Sequence, residues 1–253
     1  MRIASLVPSL TELLFALDLG DSVVARTGFC IHPRDEVRRV PKVGGTKDVD
    51  VDALLATRPT HLVVNIDENR KDTIATLRAQ VPEIVVTHPL VPDDNLDLYR
   101  EFGRLFDRNT EAAVLAADYA SARDDLVRAT RDTRPLKVLY LIWKDPWFTV
   151  SRSTYISSLL DRANLNTLPA TSASRYPIAT ADDPAWQEAD LILLSSEPYA
   201  FRQRHADGLS RTLPMPKPIL LVDGEMLSWY GNRAIAGLRY LKELRAHIDA
   251  RIA

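Results

Sequence analysis

The sequence predicts an α/β fold built as two lobes that are joined by one long helix. In both halves of the chain, short apolar segments alternate with helical ones, which is typical of a parallel sheet with helices on its faces. Between the halves, residues 110–133 contain neither glycine nor proline. A helix of that length would be about 35 Å long. Apolar residues make up 46% of the chain and charged residues 26%, which is an ordinary globular composition.

The amino-terminal half opens with a buried strand over residues 2–7, which Pro8 ends. Ser9 and Glu12 form the S-x-x-E pattern of a capping box, so the following helix is expected over about 10–18. Further strands are expected at 23–25, 61–65 and 83–87, and helices at 51–57 and 68–80.

A nearly all-helical stretch, about 94–132, separates the two halves. It is interrupted at 107–109, where Asn109 can cap a new helix. After Pro135 the alternation returns, with strands expected at 137–142, 189–195 and 218–222 and helices at 153–163 and 231–251. We therefore divide the chain into an amino-terminal lobe, 1–108, a connecting helix, 109–134, and a carboxyl-terminal lobe, 135–253.

The charge balance and the single cysteine exclude several classes of protein. Lys and Arg number 32 against 34 Asp and Glu, so the net charge is −2, whereas a general nucleic-acid binder needs a basic surface. No apolar run approaches the roughly 20 residues of a membrane-spanning helix, so we expect no membrane insertion. Cys30 alone excludes an internal disulfide and a zinc site of several thiolates. Because the amino terminus lacks a signal-peptide layout, a cytoplasmic protein and an exported chain without its leader both stay open.

Common enzyme motifs are missing from the sequence. It contains no G-x-S-x-G elbow, no H-E-x-x-H and no G-x-G-x-x-G. The five histidines are scattered, and His61 lies inside an apolar strand, where a core role is expected. We predict no catalytic residue, no metal site and no resident cofactor; an active site assembled from distant residues is a weaker alternative.

Four segments carry a resemblance to a known family. They are RIASLVPSLTELLFAL (2–17), VGGTKDVDVD (43–52), RPTHLVV (58–64) and ADLILLSSEP (189–198). Over essentially its whole length the chain resembles the helical-backbone (class III) substrate-binding proteins of ABC importers, and most of all their vitamin B12-binding branch. The resemblance implies two lobes with a ligand cleft between them, an ABC permease as partner, and a periplasmic or cell-surface location. The implied ligand is cobalamin, another corrinoid or a similar metal chelate.

The resemblance also implies one acidic residue on each lobe that pairs with arginines of the permease. The matching positions here are Asp52 and Asp182, each at the start of a short helix. The family residue is usually Glu, so Asp shortens the reach by one methylene group. A second interpretation is that both carboxylates only face the positive end of a helix dipole, and the two roles are compatible.

The aromatic lining of the B12-binding cleft is matched only in part. Thr46 and Asn65 stand where that branch has tryptophans. Tyr176 stands at another cleft tryptophan, and His32 falls near a cleft tyrosine. A ligand that is smaller or more polar than cobalamin is therefore an open alternative.

The loop at residues 27–33 is a candidate for ligand contact from its position alone. It follows a strand, and α/β sheets bind ligands at the carboxyl ends of their strands. Phe29 and His32 are its candidate contacts, and the imidazole can either ligate a metal or bind an anionic group. Cys30 is expected to be a buried, small apolar group.

Two tryptophans and a phenylalanine follow the first strand of the second half. Trp143, Trp147 and Phe148 lie beside Lys144, a combination that suits a flat ligand with negative groups. The alternative is that one tryptophan fills the gap between sheet and helix.

Polar residues complete the predicted site. Lys47 follows a pair of glycines, Arg175 precedes Tyr176 in a pair suited to carboxylates, and Glu197 ends a strand at the rim of the sheet. We therefore predict a monomeric solute-binding protein that holds its ligand by aromatic stacking and a few polar groups. The alternative is a cytoplasmic chelate-binding protein of the same fold without a permease partner.

Overall fold

The computed structural model describes residues 1–213 and 215–252, an α/β chain in two compact units. The first unit comprises Met1–Pro89, Asp93–Ala117 and Tyr230–Arg233. The second comprises Leu90–Pro92, Asp118–Trp229 and the chain from Ala234 onward. Each unit has a sheet of its own, as the alternating pattern predicted.

The sheet of the first unit has four parallel strands in the order β2-β1-β3-β4. These strands are β1 (Ile3–Ser5), β2 (Val23–Arg26), β3 (His61–Asn65) and β4 (Glu83–Thr87). The helices are α1 (Pro8–Ala16), α2 (Val51–Ala56), α3 (Lys71–Arg78), α4 (Asp94–Phe106) and the start of α5 (Asn109–Thr130). Strands β3 and β4 have the predicted bounds, because both are unbroken apolar runs between turns.

The predicted capping box of the first helix is wrong. Helix α1 begins at Pro8, one residue before Ser9, and its N-cap is Val7, which contributes no side-chain hydrogen bond. Proline favours the first helical position because its φ angle is preset and its missing N–H has no partner to lose there. Glu12 instead accepts two hydrogen bonds of 2.8 Å from the guanidinium of Arg233.

Residues 230–233 are the last piece of the first unit. The backbone N–H of Gly231 donates to Asn95 Oδ1 at 2.7 Å, and its carbonyl accepts from the hydroxyl of Tyr99 at 2.8 Å. Together with the Glu12–Arg233 ion pair, these bonds join residues 230–233 to α1 and α4.

The predicted long helix and the break before it are confirmed. Helix α5 has 22 residues, of which those up to Ala117 belong to the first unit and the rest to the second. Asp107 ends α4 in the left-handed conformation, with φ 53°. A Cβ on Gly103 would lie 2.6 Å from the Cβ of Ala112, so glycine permits the close approach of α4 to α5.

The sheet of the second unit has five strands. They are β5 (Leu136–Trp143), β6 (Phe148–Thr149), β7 (Leu165–Thr167), β8 (Leu191–Ser195) and β9 (Ile219–Val222). The order is β6-β5-β8-β9, β7 also pairs with β5, and only β6 is antiparallel to β5. The helices are α6 (Tyr155–Asp161), α7 (Ala185–Glu188), α8 (Gln203–Thr212), α9 (Gly224–Ser228) and α10 (Arg233–Ile252). The short helix expected after Asp182 is α7, whereas the sequence did not predict β6, β7, α8 or α9.

A buried arginine ties three segments of the second unit together. Arg245, on α10, is only 2% exposed. Its guanidinium donates at 2.7 Å to the carbonyl of Arg134 and at 2.7 Å to that of Ala163, and it pairs with Asp249. The side-chain amide of Asn164 donates to the carbonyl of Thr130 at 2.9 Å, so the same cluster holds the end of α5.

No helix in the described part of the chain is long and apolar enough to cross a membrane.

Replacing the buried arginine is expected to destabilise the protein. Arg245→Met removes the donor of three carbonyl oxygens, those of Arg134, Ala163 and Asn164. The free energy of unfolding is therefore expected to fall by about 2–4 kcal/mol. Arg239→Met, at an exposed position of the same helix, is the matched control and is expected to change it by less than about 0.5 kcal/mol. Urea unfolding measures both. Equal midpoints for the two variants would contradict the role given to Arg245.

Candidate ligand-binding site

Asn65 and Asn69 organise the carboxyl edge of the first sheet. The amide of Asn65 donates to the carbonyl of Thr87 at 3.1 Å, and its Oδ1 accepts from the backbone N–H of Asp67 at 2.8 Å. Asn69 donates to the carbonyls of Leu6 and Thr46, both at 3.1 Å. Both side chains are buried. Asn65 therefore holds the loop together, with its amide bonded inside the loop and not turned to solvent.

Around these asparagines lies a set of polar side chains, of which Lys47, Asp67 and Glu68 were expected from the sequence at the rim of the sheet and His88 and Tyr230 were not. Lys47 is exposed and donates to the carbonyl of Asp67 at 2.6 Å. The carboxylate of Asp67 lies 3.3 Å from His88 Nε2, just after β4. Glu68 accepts at 2.8 Å from the hydroxyl of Tyr230, whose pKa is raised by burial and by this carboxylate. In the sequence, the signal for Asp67, Glu68 and His88 is their position just after predicted strands.

The loop after β2 has one buried face and one exposed face. Cys30 is buried, its sulfur lies 3.1 Å from Thr11 Oγ1 and 3.2 Å from Thr27 Oγ1, and burial raises its pKa. Phe29, in contrast, is 62% exposed. His32 is partly exposed. The expectation that Cys30 is buried is confirmed, and only its neighbours present side chains to solvent.

A backbone bond joins this loop to the one that carries Thr46 and Lys47. The N–H of Gly28 donates to the carbonyl of Gly44 at 2.7 Å. Gly44 has φ +94°, and a Cβ there would lie 2.2 Å from the carbonyl oxygen of Asp48, so glycine is required. Thr46 and Lys47 are thereby held beside Phe29, whose ring lies close to Gly45.

Trp143, which ends β5, and Trp147, which follows it, have different environments. Trp143 is 41% exposed, and its ring meets that of Tyr199 edge-on at 5.5 Å. Trp147 packs instead against Trp186 and is stacked on Phe201, with ring centroids 6.0 and 5.9 Å away. Trp147 thus fills the space beside the sheet, which was the alternative for one tryptophan. Only Trp143 offers a large exposed surface.

Three further candidates of the second unit are at least partly exposed. Phe148 lies in β6 and is partly buried, next to the bridge partner Ile178. The guanidinium of Arg175 lies over the ring of Tyr176 at 5.9 Å, and Tyr176 is exposed. The backbone carbonyl of Arg175 accepts from Ser151 at 2.8 Å, which fixes this loop to the segment after β6.

Glu197 occupies a half-buried position after β8. Its Oε1 accepts at 2.9 Å from Ser228 and at 2.7 Å from the indole N–H of Trp229. Burial is the main reason that the pKa of Glu197 is raised, although these two bonds oppose the shift. The segment fits tightly, since a Cβ on Gly224 would lie 2.4 Å from Ser195 Oγ. Trp229, which follows α9, was missed in the sequence.

The two acidic residues suggested for permease docking both lie on the surface. Asp52 is exposed in the first turn of α2, but the helix is capped by Asp50, which accepts from the N–H of Ala53 at 2.9 Å. Asp182 is exposed, and Thr180 donates to it at 2.7 Å, which lowers its pKa. Asp183 accepts from the N–H of Ala185 at the start of α7. Neither Asp52 nor Asp182 is thus the side chain that caps its helix.

Two groups of candidates are thus brought together, one in each unit. The first unit presents Phe29, His32, Thr46 and Lys47 beside the carboxyl edge of its sheet. The second presents Trp143 and Phe148 where β5 and β6 pair, and Arg175, Tyr176 and Glu197 on loops. Over residues 1–213 and 215–252, no cluster of three or more His, Cys, Asp or Glu side chains could hold a metal ion.

A family model described as "Periplasmic binding protein" matches residues 3–215. The chain belongs to this family. Among curated relatives, the vitamin B12-binding protein of Yersinia pestis is 22% identical over 258 residues, which cover 100% of this chain and 89% of the relative. The vitamin B12-binding protein of Vibrio cholerae is 22% identical over 200 residues, or 79% of this chain and 72% of the relative.

Solved structures of other periplasmic binding proteins share the fold. The vitamin B12-binding protein BtuF of Vibrio cholerae superposes with a TM-score of 0.82 at 16% identity, covering 98% of this chain and 97% of its own. The heme-binding protein RhuT of Roseiflexus sp. RS-1 gives 0.83 at 21% identity, covering 100% and 99%. The predicted α/β fold is confirmed, and the family is one of binding proteins. The two proteins are named for different ligands, so the likeness does not select one.

The raised pKa of Glu197 predicts a pH dependence of stability. The carboxyl group of Glu197 binds its proton more tightly in the folded chain than in the unfolded chain. Its contribution to the free energy of unfolding therefore falls as the pH rises from the ordinary carboxyl pKa through the raised value. Glu197→Gln, which keeps an acceptor for Ser228 and Trp229, is expected to gain stability relative to wild type as pH rises through that interval.

Urea unfolding between pH 4 and pH 8 measures this difference. The control is Glu101→Gln, at an exposed position on α4, whose difference from wild type is expected to stay constant. A constant difference for Glu197→Gln as well would show that its carboxyl is not perturbed.

Proposed function

We propose that this protein is the substrate-binding protein of an ABC importer and binds a flat, partly apolar metal chelate of the corrinoid or haem type in the periplasm. Its membership of the periplasmic binding protein family supports the importer role. The observation that carries the ligand class is the exposed aromatic surface on strand-end segments, Trp143 above all. A free indole face at such a position suits stacking on a planar macrocycle.

The choice between corrinoid and haem rests on a few polar positions. Thr46 and Asn65 replace tryptophans of the B12-binding branch, and Asn65 is buried in its loop. Lys47 and the Arg175–Tyr176 pair instead suit the carboxylates that haem carries at its edge. Cobalamin, cobinamide and haem are therefore the ligands to test first.

Equilibrium dialysis against these three ligands and a panel of ferric siderophores tests the proposal. We expect saturable binding with a Kd below about 1 µM for one of them, in the range of specific recognition. Trp143→Leu is expected to weaken that binding about tenfold, which corresponds to about 1.4 kcal/mol. Val114→Ala, which trims a comparably exposed apolar side chain on α5, is the control and should leave the Kd unchanged.

Two results would count against the ligand class. Absence of saturable binding to the whole panel would remove the planar chelate from the proposal. Binding that Trp143→Leu leaves intact would show that the exposed indole is not the stacking surface.

We further propose that Asp52 and Asp182 dock the protein on its permease. Both carboxylates are exposed. Because Asp50 caps α2, the carboxylate of Asp52 is not needed for that bond and can contact a partner. The double variant Asp52→Lys/Asp182→Lys is expected to bind ligand as wild type does but to lose binding to permease in nanodiscs. Because rim charges act largely through the association rate, the loss should be greatest at low ionic strength.

The assay uses the ABC permeases of the organism from which the protein comes. Glu36→Lys/Asp35→Lys, a pair at exposed positions after β2, is the control for the change in net charge. Unchanged permease binding by the Asp52/Asp182 variant would end the docking role. Lack of permease binding by wild type, with ligand binding retained, would favour a chelate-binding protein that acts without a permease.

A further inference from the structure

A groove runs along the β9 edge of the second sheet, and none of its lining residues is among the candidate ligand contacts. It has a volume of about 390 Å³. One wall is β9, the last strand of the sheet order, and the other is the outer face of α10. The lining residues are Gln203, Ile219, Leu220, Leu221, Tyr240, Glu243, Leu244, His247 and Arg251.

The backbone of β9 is oriented to pair on both sides. The carbonyls of Pro218 and Val222 accept from β8, at 2.9 Å from Ile192 and 3.0 Å from Ser196. Because backbone groups alternate along a strand, the N–H and C=O of Ile219 and Leu221 point away from β8, into the groove. Such an edge is a template for one more strand.

The side chains beside this edge are apolar. Leu220 and Leu244 are nearly buried, whereas Leu221, which points to the opposite face of the sheet from Leu220, is 41% exposed. An added strand can therefore pack alternate apolar side chains beside Leu220 and Leu244, on one face of the sheet.

Charge distinguishes the two ends of the groove. Tyr240 marks one end, since its hydroxyl accepts from the N–H of Asp223 at 2.9 Å, just after β9. Arg251 lies eleven residues further along α10, or about 16 Å, and His247 is one turn before it on the same face. Glu243 lies near the Tyr240 end. An anion is therefore favoured at the Arg251 end and disfavoured at the other.

We propose that this groove binds the last four or five residues of a partner protein as an extra strand on β9, with the partner's carboxyl-terminal carboxylate on Arg251. The four residues of β9 match a segment of that length. An amphipathic small carboxylate is the competing occupant, since it would use the same guanidinium and leucines but not the outward backbone groups of β9.

A positional-scanning library of acetylated hexapeptides, prepared as free acids and as amides, tests the proposal by fluorescence polarisation. We expect selection of apolar residues at alternate positions and at least tenfold weaker binding of the amides. Leu221→Pro removes the outward N–H but none of the bonds to β8, and is expected to weaken binding at least tenfold. Leu221→Ala keeps the N–H and separates this effect from loss of the side chain.

Charge reversal tests the other end of the groove. Arg251→Glu is expected to abolish the preference for free acids, whereas Arg211→Glu, at an exposed position on α8 outside the groove, is expected to retain it. No peptide bound by wild type below about 1 mM, or equal binding by Leu221→Pro and Leu221→Ala, would overturn the proposal. In the second case, tight binding that still depends on Arg251 would identify the small carboxylate as the occupant.

Discussion

Parallel strands impose the constraint on which most of this structure depends. Their carboxyl ends meet at one edge of the sheet, where the strands diverge and the backbone polar groups lose their ladder partners. In the first unit, Asn65, Asn69 and Thr87 supply those partners. Their side chains face inward and fix the loops, which leaves the neighbouring residues, such as Phe29 and Lys47, to face outward.

The second unit meets the same constraint with hydroxyl groups. Thr149 donates to the carbonyl of Tyr140 at 2.8 Å, and Ser195 links the hydroxyl of Tyr140 to the carbonyl of Glu197, at 3.0 and 2.7 Å. Because this network is buried and its members are paired with one another, it specifies one arrangement of the loop after β8. This network positions Glu197, and through it Trp229. It therefore also positions one part of the proposed ligand surface.

Much of the fold could be predicted from the sequence, because strands such as β3 and β8 are apolar runs with clear ends. Helix α8 could not, since only two of its ten residues, Ala206 and Leu209, are buried and the rest read as a polar loop. The environment of Trp147 was equally invisible, because it depends on Trp186 and Phe201, which are distant along the chain. Local sequence patterns predict helices and strands. The residues that a side chain contacts can be known only from the tertiary structure.

The last segment of the first unit, residues 230–233, bears on how the protein is made. A ribosome releases the chain from its amino terminus onward, so most of the first unit emerges early. Glu12, Asn95 and Tyr99 must nevertheless wait for Gly231 and Arg233. Completion of the amino-terminal unit is therefore coupled to the end of translation, and a nascent chain that stops before residue 230 lacks the bonds that close it.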